Sequence, residues 1–273
     1  MAPIGKIILL LDRSSDLSQT DPLYAFAMDE LLCRSAGNGG PAVCHIWRQP
    51  RAFILGSRDN RMPYADKAKQ WLQANGWPVM VRNSGGAAVP LDGGVVNLSL
   101  ILPKNESSEA GYNGDFETMY RLIARALQHT NKAVKKGEVQ GAYCPGDFDL
   151  SIGGYKFCGI AQRRQVHAAI IQAFVVAEGS GRERAEFVRS FYNIASDNDN
   201  SLGHPIVTGE STASLEELTE LGPQAAASFV QAVKDVIRQT QTTEGLREAS
   251  ARLRMPSSED LQGMISQLRA RYN

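Results

Sequence analysis

The stretch RNSGGAAVPLDGGVVNLS, residues 82–99, decides the fold, because it joins a glycine-rich loop to a strand with two different faces. Side chains alternate in character along residues 95–102, which predicts a β-strand. One face of this strand carries Asn97 and Ser99 and is expected to line a site. The apolar face is expected to pack in the core, and it comprises Val96, Leu98, Leu100 and Leu102.

Paired glycines at positions 85 and 86 follow a predicted strand. Glycine lets a backbone approach a ligand closely and expose its N–H groups, which can bind a carbonyl or phosphate oxygen. The alternative, which composition alone favours, is a tight connection between two strands. Neither GxGxxG nor GxxxxGKS/T occurs in the chain, so a dinucleotide-binding fold and a P-loop have no support.

A second stretch, GAYCPGDFDLSIGGYKFCGIAQRR at residues 141–164, carries a cysteine and a lysine of interest. The proline and glycine after Cys144 favour an extended residue and then a turn, so we expect an exposed loop cysteine, a candidate nucleophile. Lys156 follows a Gly-Gly hairpin signal and could reach back to the glycine-rich loop, although a surface lysine is the simpler interpretation. The other cysteines are expected to be small buried hydrophobic residues, namely Cys33, Cys44 and Cys158.

Strand patterns interleave with helical ones over the first two hundred residues, which indicates an α+β fold. The pattern alone does not decide whether its sheet is parallel, antiparallel or mixed. A capping box at Ser214 and Glu217 opens a largely helical tail. The predicted helices span 22–35 with Asp21 as its N-cap, 64–75, a segment capped by Asp115, 224–241 and 258–271. The predicted strands, besides 95–102, span 43–47, 51–56, 78–82 and 168–177.

Composition excludes several functional classes. The 273 residues are 43% apolar, and Lys+Arg and Asp+Glu both total 29, so nucleic acid is not an expected partner. No run reaches the roughly 18 apolar residues of a membrane span, and the apolar N-terminal run is too short for a secretory signal. We therefore expect a cytoplasmic protein with no membrane partner. No cysteine or histidine spacing predicts a metal site, and GxSxG is absent, which disfavours a serine hydrolase.

Together the two stretches resemble the signatures of the biotin/lipoate protein ligase and lipoyl transferase superfamily. The matching residues are Arg82, Ser84, Gly85, Gly86, Ala88, Val89, Asp92, Gly94, Asn97, Ser99, Lys156, Gly159, Ala161, Gln162 and Arg164. The resemblance implies an α+β catalytic domain like that of class II aminoacyl-tRNA synthetases, with a mixed β-sheet flanked by helices. We assign residues 1–240 to this domain and 241–273 to a helical C-terminal extension packed on it.

Departures from the signatures reduce the number of activities that the resemblance allows. Superfamily ligases that use ATP usually carry a second arginine, a third glycine and a histidine, where this chain has Val81, Ala87 and Leu91. Transferases that draw octanoyl from acyl carrier protein usually place their cysteine after the motif lysine, and no cysteine follows Cys158. The order of cysteine before lysine resembles the amidotransferases of Firmicutes. These move octanoyl from the glycine cleavage H protein to lipoyl domains of 2-oxoacid dehydrogenases.

The resemblance implies roles for individual residues and no cofactor. Cys144 would form an octanoyl thioester, while the Lys156 ammonium would stabilise the thiolate or an oxyanion and carry protons. The implied substrate-binding residues are Arg82, Ser84, Gly85, Gly86, Ala87, Asn97, Gly159 and Gln162. Three alternatives remain open at this stage: acyl carrier protein as the donor, an ATP-dependent lipoate ligase, and a non-catalytic module that binds an acyl group or its carrier.

Overall fold

The computed structural model describes residues 7–82, 84–104 and 112–272. Its helices are α1 (Leu23–Gly37), α2 (Ala65–Ala74), α3 (Tyr112–Ala126), α4 (Gly181–Ser196), α5 (Leu215–Leu218), α6 (Ala225–Arg238), α7 (Thr243–Arg252) and α8 (Ser258–Tyr272). Its strands are β1 (Ile8–Arg13), β2 (Ala42–Arg48), β3 (Arg51–Leu55), β4 (Val79–Val81), β5 (Val89–Asp92), β6 (Val95–Pro103), β7 (Lys135–Lys136), β8 (Leu150–Ile152), β9 (Tyr155–Arg164) and β10 (Ala168–Val176).

These strands form two sheets. Seven of them build a mixed sheet in the order β1-β2-β6-β10-β9-β8-β7, in which β1 and β2 are parallel and the other pairs antiparallel. The other three form a small sheet in the order β4-β3-β5. The strands predicted at 43–47 and 51–56 therefore lie in different sheets, since Pro50 interrupts the chain between them and has no N–H for a ladder. The α+β class with a mixed sheet flanked by helices is confirmed.

The large sheet is covered on both faces. Leu98 and Leu100 of β6 are fully buried on the face that packs against α3 and α6, and Leu102 packs at the edge of the same cluster. Asn97 and Ser99 point to the opposite face, where α1, the small sheet, α4 and α8 lie. The alternation predicted for residues 95–102 is therefore correct, and it places two polar side chains in the interior.

Local signals placed most helices correctly. Asp21 accepts a hydrogen bond from the Leu23 N–H (2.9 Å), and the Ser214–Glu217 capping box is formed at α5. The helix predicted to be capped by Asp115 instead begins at Tyr112. Asp115 lies in the first turn of α3, where an acidic residue interacts favourably with the helix dipole. The Asp115 carboxylate accepts a hydrogen bond from the Gln162 side-chain amide. Helices α4 and α7 were not predicted.

The C-terminal helices lie against the first elements of the chain. Helix α7 contacts β1, and α8 packs along α1. The Ile8 N–H donates to the Gln241 side chain (2.8 Å), and Arg269 pairs with Asp21 (2.9 Å). The division of the chain at residue 240 stays a prediction.

No helix in the described ranges has the length and apolar character of a transmembrane segment.

Candidate active site

A pocket of about 430 Å³ opens on the face of the large sheet that carries Asn97 and Ser99. Its walls combine this sheet with α1, the small sheet and the loop between β7 and β8, and aromatic and aliphatic side chains provide most of them. Of the predicted site residues, seven line it: Arg82, Gly85, Gly86, Asn97, Cys144, Gly159 and Gln162. Ser84 and Ala87 belong to the same glycine-rich loop, and Lys156 is buried beside the Cys144 loop.

Cys144 lies on a loop, as predicted, but it is not exposed. Its φ is +48°, in the left-handed region that non-glycine residues seldom adopt, and only 8% of the residue is accessible. The neighbouring Tyr143 ring is fully buried and stacks on Phe174 of β10, with ring centres 5.9 Å apart. This packing draws the loop onto the sheet, which explains why the thiol faces the pocket rather than solvent.

Gly159 makes room for that stacking. It lies opposite Phe174 in the β9–β10 ladder, and a Cβ at this position would come within 2.5 Å of the phenyl ring. Any side chain here would displace the ring on which Tyr143 rests. The geometry therefore explains a glycine at this place in the signature through packing as well as through contact with the pocket.

Two donors from the glycine-rich loop face the Cys144 sulfur. Arg82 Nη2 lies 3.2 Å from Sγ, and the backbone N–H of Ala87 donates to Sγ at 3.3 Å. Gly86 has a φ of +102°, and a Cβ there would fall 2.3 Å from Arg82 Nη2 and 3.0 Å from the sulfur. The second glycine of the pair is thus required both by its backbone conformation and by the space that the sulfur and guanidinium occupy.

Lys156 is not a surface lysine, and its ammonium does not contact the sulfur. It is fully buried and donates to the carbonyl oxygens of Tyr143 (2.8 Å) and Cys144 (2.6 Å) and to the Asp149 carboxylate (2.8 Å). These acceptors use all three N–H bonds of an ammonium, so in this geometry none is left for a substrate. Burial raises the pKa of Asp149 to about 6, while the Lys156 charge opposes that rise.

A chain of hydrogen bonds through Tyr192 and Asp59 supports the glycine-rich loop, and sequence analysis did not predict either residue. The Tyr192 hydroxyl of α4 accepts a hydrogen bond from the Ala88 N–H (3.2 Å) and donates to Asp59 (2.9 Å), whose second oxygen accepts from the Gly56 N–H (2.8 Å). Burial raises the pKa of Asp59. Tyr192 lies 133 residues from Asp59 and 104 from Ala88, so no local pattern could have indicated these contacts.

A buried polar network lies beneath the same face of the sheet. Asp29 of α1 accepts hydrogen bonds from Ser99 (2.5 Å) and Gln172 (2.9 Å), and its other oxygen lies 2.8 Å from His45 Nδ1. Ser99 in turn accepts from the Trp47 indole at 3.3 Å. Ser99, Trp47 and Gln172 line the pocket, so part of its apolar wall is interrupted by polar groups that are already paired within the protein.

Gln162 is fixed in orientation by its partner. Its amide nitrogen donates to Asp115, so its Oε1 must point the other way; this atom is buried and has no hydrogen-bond partner in the described part of the chain. Asn97 donates weakly to the Trp47 carbonyl at 3.5 Å. Both residues therefore line the pocket, and Gln162 does so in a defined orientation.

The remaining cysteines behave as the sequence predicts. Cys33, Cys44 and Cys158 are all fully buried, and burial raises the pKa of Cys33 and of Cys44 to about 12. Burial raises the pKa of Cys158 as well. A buried thiol with a raised pKa is a poor nucleophile, so none of these three is a candidate for the reactive cysteine.

Residues 21–240 match the lipoyl protein ligase A/B catalytic domain. The chain therefore belongs to this family, which confirms the resemblance inferred from its two signature stretches. Among its relatives is the octanoyl-GcvH:protein N-octanoyltransferase of Geobacillus kaustophilus, 42% identical over 76% of this chain and 75% of that protein. The enzyme of the same name from Bacillus velezensis is 40% identical over 80% of this chain and 76% of that protein.

A third relative carries a different acyl group in its name. The lipoyl-GcvH:protein N-lipoyltransferase of Listeria monocytogenes is 41% identical over 68% of this chain and 66% of that protein.

Among solved structures, a lipoate-protein ligase A bound with ATP superposes with a TM-score of 0.63 over 98% of this chain and 95% of that one. At 18% identity this similarity establishes the fold alone.

Iodoacetamide is expected to label native protein at Cys144 alone. Its sulfur lines the pocket beside a guanidinium, whereas the other three thiols are fully buried and their pKa values are raised by burial. Peptide mass spectrometry measures the labelled positions. Protein unfolded in urea, as the control, should take up four labels; native labelling of Cys158 would contradict the assignment.

Lys156→Met is expected to lower the free energy of unfolding by about 3–5 kcal/mol, because it leaves the Asp149 carboxylate buried without its partner. The double variant Lys156→Met/Asp149→Leu should lose less, since no uncompensated charge remains. Urea unfolding followed by circular dichroism measures both. The exposed Lys136→Met is the matched control and should change little. Equal losses in the single and double variants would show that the uncompensated Asp149 charge is not the cause of the lost stability.

Proposed function

We propose that this protein is an octanoyl amidotransferase that works through a thioester on Cys144. The observation that carries the proposal is the Cys144 sulfur, which faces an apolar-walled pocket and lies within 3.3 Å of both a guanidinium and a backbone N–H. A thiol in such surroundings is built to become a nucleophile, because both neighbours stabilise negative charge on sulfur.

The relatives support the acyl group and the donor. Two of them are named for the transfer of octanoyl from GcvH, the glycine cleavage H protein, to protein. We assign the same donor to this chain. The acceptors, on the resemblance described above, are lysines of the lipoyl domains of 2-oxoacid dehydrogenases.

In the first half-reaction the Cys144 sulfur attacks the carbonyl carbon of the octanoyl-lysine amide on the donor. A C–S bond forms, the amide C–N bond breaks, and the thiol proton ends on the nitrogen of the released lysine amine. Developing negative charge on the carbonyl oxygen needs hydrogen-bond donors close to the sulfur. The glycine-rich loop provides them in the Ala87 N–H and the Arg82 guanidinium.

In the second half-reaction the amine of the acceptor lysine attacks the thioester carbonyl. A C–N bond forms, the C–S bond breaks, and an amine proton returns to sulfur, so the enzyme is regenerated without a net change in protons. Thioesters react readily with amines, which makes the covalent route suitable for amide exchange. Each half-reaction is the reverse of the other in bond type.

The pocket suits a medium-length acyl chain. Its volume, about 430 Å³, falls within the range of small-ligand sites, and Leu91, Phe116 and Phe148 are among its apolar walls. Each buried methylene contributes up to about 0.8 kcal/mol, so the eight-carbon chain is held by many small contributions. The paired polar groups around Asp29 limit how far the apolar wall extends.

Lipoyl transfer is a second candidate activity for the same site. It is favoured by the 41% identical relative named as a lipoyltransferase. Lipoyl has the same eight-carbon length but ends in a sulfur-containing ring, which is wider than a methyl terminus. Relative rates with octanoyl-H protein and lipoyl-H protein, measured under the same conditions, decide between the two candidates.

Cys144→Ala is expected to abolish both the octanoyl adduct and transfer, because no other thiol faces the pocket in the described residues. Intact mass spectrometry after mixing enzyme with octanoyl-H protein measures the adduct, and addition of apo lipoyl domain should discharge it. Cys33→Ala and Cys158→Ala are the matched controls and should still acylate. An adduct on Cys158 in the wild-type enzyme would refute the proposed nucleophile.

Transfer is expected to proceed in both directions without ATP or magnesium. Two lysine amides differ little in intrinsic stability, so exchange between them needs no coupled energy source. Starting from octanoyl-lipoyl domain and apo H protein should reach the same final mixture as the forward reaction, as measured by mass spectrometry. Rapid, irreversible use of octanoyl-acyl carrier protein, with no turnover of octanoyl-H protein, would overturn the donor assignment.

A further inference from the structure

Two successive rows of side chains cross β9, β10 and β6 on the pocket face of the large sheet. The first row consists of Gly159, Phe174 and Asn97, and the second row of Ala161, Gln172 and Ser99. All six residues line the pocket. Two residues along an antiparallel strand span about 7 Å, so the pocket extends over the sheet by at least that distance.

The reactive sulfur belongs to the first-row end of the pocket. Tyr143 stacks on Phe174 of the first row, and the Cys144 carbonyl accepts a hydrogen bond from Lys156, which precedes Gly159 in β9. The second row lies on the other side of Gly159, away from Lys156. With C–C bonds of about 1.5 Å, an extended eight-carbon chain spans roughly 9 Å, so a chain that starts at the sulfur and follows the sheet ends at the second row.

Gln172 of the second row is held in place by a buried carboxylate. Its amide nitrogen donates to Asp29 (2.9 Å), which is 1% exposed and also accepts from Ser99 (2.5 Å). A chain longer than eight carbons would have to push the amide away from Asp29, and a buried carboxylate that loses a donor is costly. Ala161 lies directly opposite Gln172, and its single methyl group leaves room for the end of a chain.

An ion pair lies behind the second row. The third row begins with Arg163 of β9, which pairs with Glu30 of α1 through two hydrogen bonds of 2.9 and 3.0 Å. Ile170 lies opposite Arg163, and neither of these two residues lines the pocket. The pocket therefore ends on the sheet at the second row.

We propose that Gln172 is a specificity-determining residue that ends the acyl pocket at the depth of an eight-carbon chain. The proposal rests on the function proposed above, in which Cys144 carries the acyl group. Shorter chains leave the second row uncovered and lose the contribution of each missing methylene, whereas longer chains must displace the amide from Asp29.

Competition between acyl-H proteins of different chain length tests the proposal. Decanoyl-H protein and octanoyl-H protein are mixed with enzyme and apo lipoyl domain, and mass spectrometry gives the ratio of their kcat/KM values. Gln172→Ala opens the end of the pocket and should raise the decanoyl-to-octanoyl ratio by up to about fifteenfold, about fourfold for each added methylene. An unchanged ratio in the folded variant would overturn the proposal.

A second variant should shift the preference in the opposite direction. Ala161→Leu fills the place of the chain end from the neighbouring strand and should lower the octanoyl-to-hexanoyl ratio by about tenfold, because overfilling a packed site is costly. The matched control is Gln165→Ala. Gln165 also donates its amide to a carboxylate of α1, that of Glu30 (2.7 Å), but it does not line the pocket, so both ratios should stay at their wild-type values. The same shift in Gln165→Ala as in Gln172→Ala would refute the assignment.

If circular dichroism shows that Gln172→Ala is unfolded, Gln172→Asn replaces it. Asparagine keeps an amide and is one methylene shorter, so the decanoyl-to-octanoyl ratio should rise about fourfold. An unchanged ratio in this variant would equally refute the role of Gln172.

Binding of free fatty acids separates this inference from the transferase proposal. Dissociation constants of sodium octanoate and sodium decanoate, measured by isothermal titration calorimetry, require no acyl donor protein. If wild-type enzyme never takes up octanoyl from H protein, yet Gln172→Ala favours decanoate over octanoate more than wild type does, the role of Gln172 stands and the transferase proposal falls. If transfer occurs but the chain-length ratios do not change, the reverse holds. Failure of folded wild-type enzyme both to bind octanoate and to transfer octanoyl would overturn both.

Discussion

One buried ammonium group holds the Cys144 loop to the rest of the molecule. Lys156 is part of β9, which is paired on both sides within the large sheet, and its hydrogen bonds end on two successive carbonyls of the loop and on Asp149. A strand inside a sheet cannot shift without breaking its ladders, so the loop is attached to a rigid support. The left-handed conformation at Cys144 persists because these contacts hold it.

The sulfur meets its partners at the junction of two sheets. Its own loop rests on the large sheet, whereas Arg82 follows β4 of the small sheet and its N–H donates to the Leu55 carbonyl of β3 (2.9 Å). Helix α4 braces the glycine-rich loop through Tyr192 and pairs Arg184 with Asp92 at the end of β5. The relative placement of sulfur and guanidinium is therefore set by the packing of whole elements rather than by the loops alone.

Local pattern was enough to predict the fold class and the place of Cys144 on a loop, because alternation and turn residues act over a few positions. It could not predict that the thiol is buried, since the stacking of Tyr143 on Phe174 joins distant parts of the chain. Nor could it assign a cation to the sulfur, because Arg82 lies 62 residues away. The family signature indicated Arg82 as a site residue, but only the three-dimensional structure distinguishes its surroundings from those of Lys156.

The left-handed backbone at Cys144 has a thermodynamic consequence for the evolution of this site. An L-residue with a Cβ is disfavoured in that region by roughly 1–2 kcal/mol, a penalty that glycine does not carry. The backbone conformation at this position thus favours glycine, which has no side chain and could not serve as a nucleophile. Selection for activity and selection for stability therefore oppose each other here, and in a lineage that no longer needed the reaction the conformational term would favour glycine.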